Sequence, residues 1–499
     1  MPKPPPAARP RLTRPFRSFG WALAGILGLS LSLPPVGFYP LAWVGLAPFL
    51  VRWSEHRTAA VCARETYALM LTLTACTGFW LLFHADTLSA LAGGFGLLVV
   101  PLPFVAAVTL AGVVRRRFGL VLGVVALVLS VLASEYLLLV GPVDVPWLLL
   151  GHTQVEAVPF IQTADLGGVL LLSFWVLLLN VAAFSVIPAA APGKGTEPTF
   201  LSRVGESGVA VAFFAVLVAL PAAYGAARSA WTESPAGYTR LGVVQPGVGP
   251  DTWDAGSGQR VDVLASLSDR LLGRWTAADS ADARAGGSPL VQRVSAQRGR
   301  PGRAGRPSVP DDINLLVWPQ GALPYMGTDE RERELVARLG RWCTQRRVAL
   351  ITGATTVAAG DGTDDEGVGA TSALLVVPGR PMLRHDQVRR VPVADAPAVL
   401  GERRTLFPVG GARVAPLLGF ESLFGDHARR FAADGADLFV VLAQSDRWGR
   451  SSGLYQHLHM TRLRAVETRR AVVVASVGGV SALVLPSGQI DETAGWMEQ

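Results

Sequence analysis

The chain has 499 residues, 50% of them hydrophobic, and a mean hydropathy of +0.36, which excludes an ordinary water-soluble enzyme. Its net charge of +7 rests on 43 Arg against two Lys, Lys3 and Lys194, the bias of a GC-rich genome rather than the footprint of a nucleic-acid binder. Cys62, Cys76 and Cys343 are too few and too scattered for a disulfide framework, and no P-loop, dinucleotide fingerprint or zinc spacing is present, so no cofactor, metal or nucleic acid is expected.

Residues 1–16 form a basic, Pro-rich tail, and residues 17–230 read as a membrane domain with about seven transmembrane helices. The apolar runs fall at 17–34, 37–53, 66–84, 88–113, 119–140, 167–190 and 208–228. Several approach the ~20 residues that a helix needs to cross a bilayer. The run at 37–53 is short and carries Pro40. A cleaved signal peptide is the rival reading of the N-terminus, but no small-residue cleavage site follows and further spans do.

Lys and Arg resist translocation, so their distribution sets orientation. Arg9, Arg11, Arg14 and Arg17 lie in the tail, and Arg52, Arg57 and Arg64 after the second run. Arg115, Arg116 and Arg117 follow the fourth run, and Lys194 and Arg203 the sixth. The alternate loops near Pro34–Gly37, His84–Thr87 and Gly141–Asp165 carry neither residue type. The expectation is a cytoplasmic N-terminus, seven crossings and everything beyond residue 230 outside. The apolar connection from Val143 to Gly168 reads either as a vestibule on the membrane surface, with Trp147 in an interface belt, or as a packed re-entrant connector. A transporter fits poorly, because no intramembrane carboxylates or paired broken helices are read.

Residues 238–499 change character. Short Val/Leu/Ile-rich runs, "TRLGVVQP", "INLLVWPQ", "VALITGATTV", "SALLVVPG", "VAPLLGF", "DLFVVLAQ", "AVVVASVGG" and "SALVLPSG", have the continuous apolarity of strands buried on both faces. Helical stretches "DERERELVARLGRWCTQRR" and "YQHLHMTRLRAVETRR" lie between some of them, which predicts a layered α/β domain. Residues 279–310 are rich in Gly, Pro, Ala and Arg and read as a disordered insertion that does not pack. Its Arg293, Arg298, Arg300, Arg303 and Arg306 are either solvated or touch anionic headgroups.

The stretch "VAPLLGFESLFGD", Val414–Asp426, reads as a strand running into a tight turn of the kind that presents a reactive group, yet the turn residue is Gly419. In the first half "PPVGFYPLAWVGLAPFL", "GFWLLF", "PWLLLGHTQ" and "QTADLGG", and in the second "VVQPGV", "VWPQGALP", "ITGATT", "QVRRVPVAD", "LLGFES" and the run from "RWGRSSGLYQ" to "LPSGQI", together resemble the apolipoprotein N-acyltransferases, the membrane-bound branch of the nitrilase superfamily. The resemblance implies a multi-pass α-helical membrane domain plus an α/β nitrilase-like domain, an αββα sandwich, in a bacterial inner (cytoplasmic) membrane with the sandwich periplasmic. It implies transfer of an acyl chain from a phospholipid, phosphatidylethanolamine for the family, to the α-amine of a lipoprotein's N-terminal diacylglyceryl-cysteine, through a thioester. A Cys attacks, a Glu moves the proton and a Lys stabilises the oxyanion.

Carried over residue by residue, the Glu position is Gln320, the Lys position is Gln387 and the Cys position is Gly419, while the companion acid survives as Glu421. Gln matches the shape of Glu but accepts no proton at neutral pH. Independently of any register, residues 238–499 contain no Lys, and their only Cys is Cys343, on a helix where cysteines usually pack. The expectation is a degenerate family member that binds lipid or a lipoprotein N-terminus or regulates an active relative. The alternative is an acyltransferase with a non-standard nucleophile. Ser422, Ser445, His385, His427, Asp386, Asp395, Glu402, Arg389 and Arg390 are the polar residues available to it, while His457 and His459 read as structural. The sequence stops at Gln499, short of the last strand and membrane helix that the resemblance would add, and truncation and genuine loss both fit.

Overall fold

The computed structural model describes residues 13–56, 58–83, 87–140, 146–186, 208–230, 237–248, 257–278, 291–296, 313–323, 325–326, 330–357, 369–389, 399–445 and 448–495. The first half is helical, with α1 (Thr13–Leu31), α2 (Ala47–Glu55), α3 (Ala59–Gly78), α4 (Thr87–Val99), α5 (Pro101–Phe118), α6 (Leu120–Val140), α7 (Val158–Ile161), α8 (Ala164–Val186) and α9 (Gly208–Ala230). Among the described residues, Ala59–Phe83, Ala90–Phe118, Leu120–Val140, Ala164–Ser185 and Gly208–Ser229 are long and apolar enough to cross a membrane, and Phe19–Leu31 is a shorter apolar helix. Ile26, Trp53, Leu69, Phe104, Leu127 and Leu177 meet in the bundle core.

The run at 37–53 is not one helix. A 3-10 turn at Tyr39–Trp43 and the nine-residue α2 share it. The break leaves backbone groups that hydrocarbon cannot satisfy. Asn180 of α8 supplies the partners, accepting from the Leu46 N–H at 2.8 Å and donating to the Ala42 carbonyl at 2.6 Å. The broken segment still carries the chain from one end of the bundle, where Trp43 bonds Gln154, to the other, where Arg52 pairs with Glu65.

The absence of intramembrane carboxylates is corrected. Glu65 lies in α3 and Glu135 in α6, and both are buried. Neither is set as an ion-pathway group. Glu65 is held by Arg52 and His56, and Glu135 accepts the Leu150 N–H at 2.8 Å, capping the connector that follows α6.

The second half contains β1 (Gly237–Val243), α10 (Ser257–Ala278), β2 (Val291–Ala296), β3 (Leu315–Val317), β4 (Tyr325–Met326), α11 (Glu330–Arg346), β5 (Ala349–Val357), β6 (Gly369–Val376) and β7 (Leu383–Asp386). It continues with β8 (Phe407–Val409), β9 (Ala412–Leu418), α12 (Gly425–Ala433), β10 (Leu438–Ala443), α13 (Ser452–Thr468), β11 (Ala471–Ser476), β12 (Ser481–Val484) and β13 (Ile490–Ala494). One sheet has the order β2-β1-β3-β5-β6-β7, with β4 on β5, and the other β13-β12-β11-β10-β9-β8.

Alternation sorts the apolar strands into layers. Val243, Val317 and Ile351 of one sheet face Val414, Val440 and Val473 of the other across the central core. Leu316 and Leu350 point outward beneath α10 and α11. Ala415, Val441 and Val472 point outward beneath α12 and α13. The result is an αββα sandwich.

The reading of 279–310 as unpacked is corrected at 291–296, which pair antiparallel with β1 from Gly237↔Ala296 to Gly242↔Val291. Backbone bonding along a sheet edge needs no apolar signature. The rest of that insertion lies outside the described residues, as do the tail to residue 12, Arg57, Lys194 and Arg203.

Helix α13 joins the halves. Gln456 accepts from the indoles of Trp80 at 3.2 Å and Trp147 at 2.8 Å, and donates to the carbonyls of Pro34 at 3.3 Å and Thr77 at 3.0 Å. His459 and Arg462 hold Glu156 at 2.9 and 3.2 Å, and Arg469, just past the helix, reaches Asp165 at 2.5 Å. These residues recur at helical spacing along one face. Trp80 and Trp147 thereby enter the core beneath the β9–β11 sheet.

Candidate functional site

The residues picked out in the sequence gather at one end of the sandwich, beyond the carboxyl ends of β3, β7 and β9. Gln320 follows β3 on a loop pinned to β5, where Trp318 N–H donates to the Ile351 carbonyl at 2.9 Å. Gly353 permits the approach, since a β-carbon there would lie 2.6 Å from the Gln320 Cα.

Gly419 opens the five-residue 3-10 turn Gly419–Leu423 after β9, with φ of +47°. That left-handed conformation suits glycine and strains other residues. A β-carbon at Gly419 would lie 3.2 Å from Gln320 Oε1 and near nothing else among the described residues. The structure therefore brings positions 419 and 320 together. Gln387 leaves β7, with its side-chain amide donating to the Arg389 carbonyl at 2.7 Å. Glu421 links this loop to the turn. Its carboxylate accepts from Leu418 N–H at 3.0 Å, Val388 N–H at 2.7 Å and Arg389 N–H at 3.1 Å.

Glu421 is fully buried, and burial pushes its carboxyl up to about 7 against the pull of those three amides. Nε2 of His385 lies 4.0 Å and Nε2 of His427 3.7 Å from it. Burial holds the two imidazoles down, at about 4 and about 3, so both are neutral near pH 7. The His385 Nδ1 lies 3.2 Å from Thr405 N–H and accepts from it.

The Ser–His alternative can be judged from one acceptor. The Gly419 carbonyl lies 2.8 Å from Ser422 Oγ and 3.2 Å from His457 Nε2. A carbonyl only accepts, so both groups donate to it. The His457 proton then sits on Nε2, the atom 3.3 Å from Ser422 Oγ, and cannot take the serine's proton. Thr461 Oγ1 closes the cluster 2.9 Å from Ser422 Oγ. Ser422 and His457 are structural in this geometry.

The other polar candidates are also engaged. Ser445 pairs with Ser476 at 3.0 Å, Asp386 accepts from Ser372 and Arg384, and Arg389 bonds Asp426 at 2.7 Å. Arg389 also lies over the Phe424 ring, 4.3 Å from its centroid. Glu402 is exposed, and Arg390 and Asp395 lie outside the described residues. Cys343 is on α11 with its side chain buried, and desolvation raises its thiol to about 12, which keeps it unreactive. Among the described residues no group of His, Cys, Asp and Glu forms a metal site.

Sequence reasoning missed the aromatic wall beside the turn. Phe420, the residue after Gly419, has its ring 5.2 Å from Trp147 and 5.6 Å from Trp448, and Trp80 lies 5.1 Å from Trp448. It also missed Gln456. The available signal was α13 itself, a helix with polar residues on every side, which must bury some of them against a partner.

The halves match different family models. The apolipoprotein N-acyltransferase N-terminal domain matches residues 24–182, and the carbon-nitrogen hydrolase domain matches residues 295–499. The chain is 26% identical to the apolipoprotein N-acyltransferase of Geobacter metallireducens, over 94% of this chain and 85% of that protein. It is 23% identical to that of Chlorobaculum tepidum, over 98% of this chain and 90% of that protein. Among solved structures it is similar to Saccharomyces cerevisiae Nit3, of branch 10 of the nitrilase superfamily, at 14% identity and a TM-score of 0.40, over 54% of this chain and 89% of that one. An amidase of Nesterenkonia sp. AN1 gives 17% identity and a TM-score of 0.34, over 54% and 89%. With its membrane half and its sandwich both accounted for by the same proteins, the chain belongs to the apolipoprotein N-acyltransferase family.

Proposed function

We propose that this chain keeps the scaffold of the family without its acyl-transfer chemistry, and binds a phospholipid or a lipoprotein N-terminus at the membrane surface. The name of its relatives describes N-acylation of an apolipoprotein, and family resemblance supplies a thioester route with phosphatidylethanolamine as donor. One observation carries the proposal. The residue at the end of β9 that would present the attacking group is Gly419, beside Gln320, and no exposed thiol or lysine is available anywhere in residues 238–499. Gln456, Glu156 and Asp165 hold the sandwich against the membrane half, which keeps the turn at Gly419 beside the bundle end where a lipid or a lipoprotein N-terminus would lie.

The same proposal sets the chain in a bacterial cytoplasmic membrane with seven crossings, a cytoplasmic N-terminus and the sandwich outside. Arg52 and Arg115 support this orientation. Arg115 donates to the carbonyls of Ser54 and His56 at the end of the bundle away from the sandwich.

The alternative, acyl transfer through another nucleophile, finds its best pair in Ser422 and His457, and the shared Gly419 acceptor argues against it. The deciding experiment expresses the chain in a bacterium depleted of its own N-acyltransferase and reads lipoprotein N-termini by mass spectrometry. Diacylated termini are expected. Triacylated termini that persist in the Cys343→Ala variant would overturn the proposal.

A further inference from the structure

A cleft of about 520 Å³ opens where the two halves meet. That is within the roughly 300–1,000 Å³ of small-molecule sites. Its walls come from the end of α1 and the turn after it, from the end of α3 and the turn after it, and from the loop Trp448–Ser452 that leads into α13. Trp448 meets the Phe420 ring edge to face, so the cleft abuts the turn that begins at Gly419.

Two features define what it can hold. The membrane-side wall offers Leu31, Val36, Phe79 and Phe83, which are 47%, 61%, 43% and 69% exposed. Such residues at the end of a membrane helix suit acyl chains and the bilayer boundary. Arg450 is the one charged side chain among the described residues of the lining. It is exposed and forms no ion pair or hydrogen bond with the described residues. Ser30, Ser451 and Ser452 add neutral polar groups, and among the described residues no carboxylate lines the cleft.

An apolar wall with one exposed guanidinium fits an amphipathic ligand carrying a phosphate. An ethanolamine headgroup would also bring an ammonium, and the described lining provides no anion to receive it. We propose that the cleft takes a phospholipid whose headgroup is net anionic, selected over phosphatidylethanolamine by Arg450. This rests on the binding role proposed above, and it names the ligand class.

The protein carries its own probe. Cys76 lines the cleft and is exposed, whereas Cys62 and Cys343 are buried. The rate of maleimide labelling at Cys76 is measured for the purified full chain in mixed micelles with phosphatidylglycerol or with phosphatidylethanolamine. One basic residue near a lipid surface gives about fivefold in affinity. Phosphatidylglycerol is therefore expected to protect Cys76 at about fivefold lower concentration. Arg450→Gln should erase that difference, and Arg450→Lys should keep most of it, because both variants sit on an exposed loop and leave the fold intact.

Equal midpoints for the two lipids, a preference that survives in Arg450→Gln, or protection by a diacylated lipopeptide alone would overturn the assignment. Intact mass of the same samples reports separately on the lost chemistry. An acyl adduct would end that claim and leave the headgroup preference standing, whereas equal midpoints with an unchanged mass would end the preference alone.

Discussion

A β-carbon built on Gly419 would stand 3.2 Å from the side-chain oxygen of Gln320. The two positions that the family resemblance assigns to nucleophile and base still point at one another, although neither residue can serve. Gly419→Cys should therefore fold, at a cost of about 1–2 kcal/mol for a side chain in the left-handed region at φ +47°. Thermal unfolding measures that cost. The single variant should remain inert, because its thiol would lack a base. Combining Gly419→Cys with Gln320→Glu and Gln387→Lys should restore an acyl adduct visible by intact mass, and a triple variant that stays clean would mean that more than these three positions has changed.

Gln456 fastens the sandwich to the membrane half with four hydrogen bonds. Gln456→Leu leaves two indoles and two carbonyls without partners. At about 1–3 kcal/mol for each stranded polar group, partly relieved by relaxation, the expected loss is about 3 kcal/mol. Gln456→Glu should cost nearly as much, since a carboxylate accepts from Trp80 and Trp147 but cannot donate to Pro34 and Thr77. Denaturant unfolding in detergent tests both, and a Glu variant as stable as the native chain would show that the carbonyl contacts contribute nothing.

The cluster around Glu421 makes stability pH-dependent in a specific way. Its carboxyl is raised to about 7, so the folded chain keeps a proton that the unfolded chain sheds, and this contribution falls as pH rises from about 4.5 towards about 7. His385, His427 and His457 are lowered to about 4, about 3 and about 4. They refuse protons that the unfolded chain takes up below 6.5, so their contribution is lost as pH falls. Burial also raises Glu467 and holds His152 down at about 3, so four histidines outweigh two glutamates, and stability should rise with pH between about 4.5 and 6.5. Glu421→Gln removes one opposing proton and should steepen that slope by about 1.4 kcal/mol per pH unit. An unchanged slope would show that Glu421 is ionised throughout.

Much of the sandwich was legible because strands buried on both faces leave long apolar runs, as in "DLFVVLAQ" and "AVVVASVGG". The edge strands were not. Ile490–Ala494 is mostly exposed and reads as polar, and 291–296 sits in an Arg-rich stretch that pairs through its backbone. The broken second pass was unreadable for another reason, since Asn180, 134 residues from Leu46, supplies the bond that makes the break tolerable. At the site the sequence pointed to Gln320, Gly419 and Glu421, whose setting is local to strand ends. It could not foresee that the Gly419 carbonyl would occupy both Ser422 and His457, because that contact depends on how α13 docks.

Ser422 gives a further check on this geometry. Its hydroxyl is buried and donates to the Gly419 carbonyl. Ser422→Ala should cost about 1 kcal/mol, the net worth of a typical hydrogen bond, and change no chemistry. If the native chain transfers acyl groups and Ser422→Ala does not, the serine is a nucleophile after all.

The most direct test incubates the purified full chain with phospholipid and a synthetic diacylated lipopeptide, then weighs both by mass spectrometry. An unmodified protein and a lipopeptide still carrying two chains are the predicted outcome. An acyl increment on any residue of the protein, or a third chain on the peptide, would contradict it.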